Sequence, residues 1–115
     1  MYVIWVEDGP TGMIGYWEHE WKDQTVWEAG WGVLPEHQGR GIAVAAILAL
    51  VEKARVEGKH RFMHAYPRIE NLASNALCRN AGFEFVEECD FEYPPGNPIR
   101  CNDWQIDLLA ADKTQ

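Results

Sequence analysis

The strongest chemical signal lies at one junction, Val33-Leu34-Pro35-Glu36-His37-Gln38-Gly39-Arg40-Gly41-Ile42-Ala43. A proline closes a β-favouring stretch, and a glycine-containing loop then runs straight into a helical pattern. The first-turn N–H groups of a helix have no partners inside the helix. Together with the helix dipole they form an anion site, most often for phosphate. Gly39 and Gly41 let phosphates approach the backbone, and Arg40 adds a fixed positive charge. Two common phosphate loops are excluded by spacing. The Walker loop needs four residues between its glycines and then Gly-Lys-Ser/Thr. The dinucleotide fingerprint needs Gly or Ala where this chain has Val44. What remains is Gln-x-x-Gly-x-Ala, spelled by Gln38, Gly41 and Ala43.

Positioning that loop requires a strand before it and a helix after it. Thr25 to Leu34 reads as a strand with Gly30 and Gly32 inside it, and interior glycines mark a bulge or a close backbone approach. Ile42 to Glu57 reads as the helix, with Val44, Ile47, Leu48, Val51 and Ala54 on one face and Gly58 as C-cap. Upstream, Tyr2 to Glu7 and Met13 to Trp21 form a hairpin across the turn Asp8-Gly9-Pro10-Thr11-Gly12, and Lys22-Asp23-Gln24 makes the next turn. Downstream come a strand from Arg61 to Tyr66, a helix from Leu72 to Ala81 capped by Asn71, and a strand from Phe83 to Tyr93. Pro94 to Pro98 is a tight connection, and Cys101 to Leu109 alternates as a last strand. The order β-β-β-α-β-α-β-β predicts an α+β (α/β) fold, a mixed sheet covered by two main helices.

The chain has 115 residues, which suits a single domain over 1–115. Its net charge of −8 excludes the basic face that nucleic-acid binding needs. The longest apolar run, Ile42 to Val51, falls short of the ~18 residues that cross a bilayer. The N-terminus has no basic, cleavable leader pattern, so a cytoplasmic protein is expected. Cys78, Cys89 and Cys101 are odd in number and lack metal-ligand spacing. They read as reduced thiols, with neither a disulfide framework nor a metal site. Five of the six tryptophans, Trp5, Trp17, Trp21, Trp27 and Trp31, fall in the first strands. Such an aromatic region beside an edge strand predicts self-association, with a two-fold homodimer as the default.

Gln38, Gly41 and Ala43 resemble the coenzyme-A pyrophosphate loop of the GNAT superfamily of N-acetyltransferases. Asn71-Leu72-Ala73-Ser74 followed by Gly82-Phe83, and Glu28-Ala29-Gly30-Trp31 before Pro35, resemble the branch that contains the ribosomal-protein N-terminal acetyltransferases. The resemblance covers residues 2 to 109 and implies a mostly antiparallel sheet with splayed central strands. It lacks the strand and two helices with which GNAT domains usually begin and which usually build one wall of the acceptor site, so a truncated GNAT-like domain is expected: a minimal form, a fragment, or one whose wall comes from another chain.

The resemblance implies acetyl transfer from acetyl-CoA to a primary amine by direct attack, with no metal. It places the pantetheine arm along Gly32, Val33 and Leu34, and the pyrophosphate on Gln38, Gly39, Arg40, Gly41, Ile42 and Ala43. Asn71 neighbours the pantetheine, and Arg79 reaches the adenosine phosphates or faces solvent. Glu28 is the first choice of base, and His64, whose ordinary pKa of about 6.5 suits neutral pH, the second. A solvated carboxylate and a packed histidine are the plain alternatives. For the acid, many GNAT enzymes carry a tyrosine where this chain has Cys78; Ser74 is the branch's alternative. Gly30 and Gly32 also admit a packing role, relieving crowding among Trp17, Trp27 and Trp31. Two other functions stay open: a non-catalytic acyl-CoA-binding sensor or subunit, and a nucleotide-binding α/β protein. The acceptor amine, a small molecule or a peptide N-terminus, is not encoded in any of these motifs.

Overall fold

A computed structural model describes the backbone of residues 2–6, 9–33, 41–92 and 94–109, and the side chains of residues 12–32, 41–92 and 94–109. Among these residues the order is β1 (Tyr2–Val6), β2 (Gly9–Trp21), β3 (Gln24–Val33), α1 (Ile42–Glu57), β4 (Phe62–Ala65), α2 (Leu72–Asn80), β5 (Glu84–Glu92) and β6 (Pro98–Asp107). The strands form one mixed sheet, ordered β1-β2-β3-β4-β6-β5. Only β3 and β4 pair in parallel. Among the described residues no helix is long and apolar enough to cross a membrane.

Three local expectations need correction. Most of the expected Asp8–Gly12 turn is strand: Gly9 already pairs with Val6, across a register shift between Ile4 and Trp5. Among the described residues β2 pairs with β3 from Gly12 onward, so Pro10 has a described ladder on its β1 side alone, a position a proline can occupy. The last strand starts at Pro98, opposite Glu92, three positions before the expected Cys101. A proline is acceptable as a strand's first residue. In α1 the buried stripe is Ile47, Leu50, Val51 and Ala54, whereas Leu48 is half exposed. The helix begins apolar all round, so its sequence pattern does not set the phase; packing does. The expected turn after β2 is a two-residue mirror-image turn, with Lys22 and Asp23 both at positive φ, 50° and 69°.

Alternation along the strands sorts the side chains onto two faces. On one face Ile14, Trp27, Ala29, Met63, Ala65 and Trp104 pack against Ile47, Leu50, Val51 and Ala54 of α1 and Cys78 of α2. Both helices therefore lie on this face. The register puts Trp17 opposite Glu28 and His19 opposite Val26, and sets Glu28 beside His64 and His64 beside Gln105. These residues, with Trp21, Tyr66 and Asp103, share the face without helices.

The central pair comes apart early. β3 and β4 share three residue pairs, ending at Ala29 and Ala65. β3 runs on to Val33, but the chain after Ala65 stays with β6. There Ile69 N–H donates to Arg100 O (3.2 Å), and Asn102 N–H donates to Pro67 O (2.9 Å). Among the described residues, β3 from Gly30 onward has no strand on its β4 side.

Candidate functional site

The gap between β3 and Tyr66 is bordered by several residues picked out in the sequence. The two glycines of β3 play different parts. A Cβ on Gly30 would sit 2.8 Å from the Trp17 indole, so Gly30 makes room for Trp17. A Cβ on Gly32 would meet nothing within 4 Å. Among the described residues nothing crowds Gly32, and no strand pairs with β3 there on its β4 side.

At the helix end, Gly41 is the N-cap of α1, with φ 76° and no side-chain cap, and the first turn carries no acidic residue. Only glycine takes that backbone conformation without strain. Among the described residues a Cβ there would also meet nothing within 4 Å. Ile42 and Ala43 follow in that turn, and Ile42 packs against the core cluster. This uncapped helix N-terminus fits a pyrophosphate. Leu34, Gln38, Gly39 and Arg40 lie outside the described residues, and Val33 is described in its backbone alone.

Glu28 lies on the helix-free face, beside the last paired residues of β3. Its Oε1 accepts from Trp17 Nε1 (3.1 Å), and His19 Nδ1 lies 3.5 Å away. Burial raises its pKa above the usual carboxylate value, against the lowering effects of the Trp17 hydrogen bond and the His19 charge. A carboxylate raised in this way is suited to accept a proton.

His64 has both ring nitrogens occupied. Nδ1 is 2.6 Å from Asp103 Oδ1, and Nε2 is 3.3 Å from Gln105 Nε2. Asp103 Oδ2 accepts from Trp21 Nε1 at 3.2 Å. With Nδ1–H donating to Asp103, Nε2 accepts from Gln105, and the ring is buried in a closed network. The packed-histidine alternative describes this environment.

On α2, Asn71 is the N-cap, and its side chain accepts from Ser74 N–H (3.0 Å). Cys78 is fully buried, and burial pushes its thiol up to about 12. A thiol held that high is a poor proton donor near neutral pH. Arg79 stacks over Trp104, 5.4 Å from the ring centroid, in an open groove between α2 and β5 that Leu72 and Phe85 also line. Its side chain is exposed, as the solvent-facing alternative expects. Cys89 and Cys101 are buried free thiols directly opposite each other on β5 and β6.

One group carried no functional signal in the sequence, and it reaches Glu28 through His19. His19, Trp21, Tyr66 and Phe91 form one aromatic cluster, with ring centroids between 4.7 and 6.1 Å apart. Asp103 and Glu28 both act on the Tyr66 hydroxyl, whose pKa is raised mainly by burial and further by those two carboxylates. What the sequence does carry is alternation: Trp17, His19 and Trp21 stand at period two, as do Cys101, Asp103 and Gln105.

Comparison with curated proteins finds no match. Among solved structures, the chain is similar to yncA from Salmonella typhimurium, solved with its cofactor acetyl-CoA (TM-score 0.70, 24% identity, 90% of this chain and 61% of that chain). It is also similar to an aminoglycoside N(6')acetyltransferase from Legionella pneumophila (TM-score 0.75, 14% identity, 96% and 64% of the two chains). A third likeness is to a ribosomal-protein-S5-alanine acetyltransferase from Vibrio fischeri (TM-score 0.74, 17% identity, 89% and 56%). At these identities the likeness is one of fold. The chain spans about three fifths of the length of those structures. A model of the acetyltransferase (GNAT) family matches residues 1–83, well over half of the sequence, and the chain therefore belongs to the GNAT family.

Proposed function

We propose that this protein is a cytoplasmic acetyl-CoA-dependent N-acetyltransferase acting on a primary amine. The observation that carries the reading is the parting of β3 from β4 after Ala29, which among the described residues leaves β3 from Gly30 to Val33 without a strand on that side. The next described element in the chain is α1, which begins at Gly41 without a side-chain cap. Glu28, with its raised pKa, lies on β3 just before that unpaired stretch.

Acetyl-CoA, when bound, supplies an activated acyl thioester. The first-turn N–H groups of Ile42 and Ala43 hold its phosphates, with Gln38, Gly39, Arg40 and Gly41. The backbone of Gly32 and Val33, on the side of β3 where no described strand pairs, would take the pantetheine amides, with Leu34 next in sequence. Glu28 takes a proton from the acceptor's ammonium, and the free amine so formed is the nucleophile. Ser74 is the candidate donor to the departing sulfur, since Cys78 is buried and its thiol raised to about 12. The absence of a more acidic group at position 78 also favours the second reading, a coenzyme-binding module without catalysis.

Coenzyme A titration and acetyl-CoA consumption with an amine panel separate the two. The enzyme reading expects both binding and amine-dependent consumption; binding without consumption selects the module. Gly41→Val and Gly32→Val should each weaken coenzyme A binding, and unchanged affinity in both would remove the site assignment. The same reading takes a second copy of the chain as the default partner, because β1 is an edge strand. Light scattering that shows a monomer at micromolar concentration would discard that.

A further inference from the structure

Cys89 and Cys101 face each other across the last pair of strands in the sheet, β5 and β6. The backbone bonds around Cys101 fix the manner of pairing. Arg100 O accepts from Ile69 N–H at 3.2 Å, and Asn102 N–H donates to Pro67 O at 2.9 Å. Those two residues thus turn their backbone groups away from β5. Backbone direction alternates along a strand, so Cys101 turns its own groups toward β5. Cys89 and Cys101 are therefore a hydrogen-bonded antiparallel pair, with Cα atoms about 5.5 Å apart. That spacing lies inside the roughly 4.4–6.8 Å that a disulfide spans. Directly opposite residues send their side chains to one face of the sheet. Here it is the helix-free face, where Asp103 follows Cys101 on β6 and Phe91 follows Cys89 on β5. The sulfurs are close enough for Cys101 to raise the pKa of the Cys89 thiol. The third cysteine, Cys78, sits apart from them in the core beneath α2.

We propose that Cys89 and Cys101 form an oxidisable dithiol that a hydroperoxide closes into a disulfide, fastening the outer strand β5 to β6. Both are free thiols. Cys89 keeps 8% of its surface exposed and Cys101 0%, so a reagent meets Cys89 first, and a hydroperoxide is small enough to reach it. Among the described residues β5 has no strand on its far side, which leaves it free to yield locally. Cys89 gives up its proton and its sulfur attacks a peroxide oxygen. The S–O bond forms, the O–O bond breaks, and the hydroxide that leaves takes up a proton as water. Cys101 then gives up its proton and attacks the Cys89 sulfur. The S–S bond forms, the S–O bond breaks, and a second hydroxide leaves and becomes water. The thiols are oxidised and the peroxide is reduced, with no other reactant. Burial raises both thiols, Cys89 to about 11. Asp103, Cys101 and Glu87 push Cys89 further up against Lys22, and Glu70 and Glu28 push Cys101 up against Arg68. Few thiolates exist at neutral pH, so closure is slow there and quickens as the pH rises. None of this depends on the acetyltransferase reading.

The test treats the full chain with hydrogen peroxide, alkylates the remaining thiols and digests with trypsin. Cleavage after Arg68, Arg79 and Arg100 puts Cys78, Cys89 and Cys101 on separate peptides, 69–79, 80–100 and 101–113. Mass spectrometry should find 80–100 joined to 101–113, with Cys78 alkylated, and dithiothreitol should part them. A gel run without reductant should keep the joined chain at monomer size. The rate of joining should rise by about tenfold per pH unit between pH 7 and pH 9, as the thiolate fraction does. Amide exchange in β5 should slow once the bond has closed. In Cys101→Ser, Cys89 should stop at a sulfenic acid that dimedone traps.

Cys89 oxidised to a sulfinic acid in the parent chain, with Cys101 still a free thiol, overturns the proposal. So does a joined peptide found only in a covalent dimer, or Cys78 oxidised as readily as Cys89. Unchanged exchange in β5 of the joined chain overturns the fastening of that strand. If Cys101→Ser does not fold, the joined peptide from the parent chain decides alone. Joining in a chain that shows no amine-dependent turnover still upholds the dithiol, because the acetyltransferase reading fails separately.

Discussion

The two faces of this sheet are built from alternate residues of the same strands, yet they do opposite things. On one face Trp27, Ala29, Met63, Ala65 and Trp104 meet the apolar sides of α1 and α2. On the other, His64, Asp103, Glu28, His19 and Tyr66 are drawn together with no helix over them. The first face gains stability from area removed from water. The second holds titratable groups in place with hydrogen bonds, and each buried polar atom left unpaired there costs stability. The proposed site thus falls on the face that carries the titratable groups.

The sharpest test of that division is Glu28→Gln. Loss of a positioned base lowers turnover by about 10²–10⁴-fold. Coenzyme A affinity should stay nearly constant, because the carboxylate acts on the amine. The acidic limb of the pH–rate profile should lie above the ordinary carboxylate range in the parent protein and vanish in the variant. Stability should move the other way. Burial raises the pKa of Glu28 in the folded state, so ionising it costs folding energy. The parent protein keeps its full stability below the unfolded-state pKa and loses part of it as pH rises through the folded-state value. Glu28→Gln should therefore unfold at higher denaturant than the parent at pH 7, and the advantage should disappear in acid. A variant destabilised at pH 7 would show that Glu28 is structural.

On the helix-covered face, Ile47→Ala removes a fully buried side chain beneath α1. It should cost about 2–5 kcal/mol in chemical denaturation. A cost below that of a surface change would place the core elsewhere. Gly30 and Gly32 then separate packing from binding within a single strand. Gly30→Ala must displace the Trp17 indole and with it the hydrogen bond to Glu28. A loss of about 1–3 kcal/mol is expected, with a change in tryptophan fluorescence. Gly32→Ala should change stability by less than about 0.5 kcal/mol, as surface substitutions do. It should weaken coenzyme A binding instead. The reverse pattern would exchange the roles of the two glycines. The smallest effect is Asn71→Ala, which removes the α2 cap and should cost about 1 kcal/mol by thermal unfolding.

Much of the fold was legible because its signals are local. α1 begins and ends where expected, at Ile42 and Glu57, since its limits are set by adjacent glycines. Asn71 caps α2 because Asn followed by a helical run is itself the signal. Leu48 was misassigned to the core: the first turns of α1 are apolar on every side, so only contact with the sheet selects Leu50 in its place. Pro98 was read as loop because its strand partner, Glu92, is supplied by the hairpin and not by its own propensity.

The sequence by itself determined the uncapped glycine entry to α1, the order of strands and helices, and the position of Glu28 on the strand before the loop. Each depends on residues within a few positions of one another. Tertiary structure decided that Gly30 serves Trp17 while Gly32 stays uncrowded, that Asp103 closes a network around His64, and that His19 and Tyr66 stand together beside Glu28. Those partners are separated by 9 to 47 positions in the chain, His64 and Asp103 by 39. No local pattern encodes such distances. Strand register does, because one residue's shift would carry every one of these side chains to the opposite face.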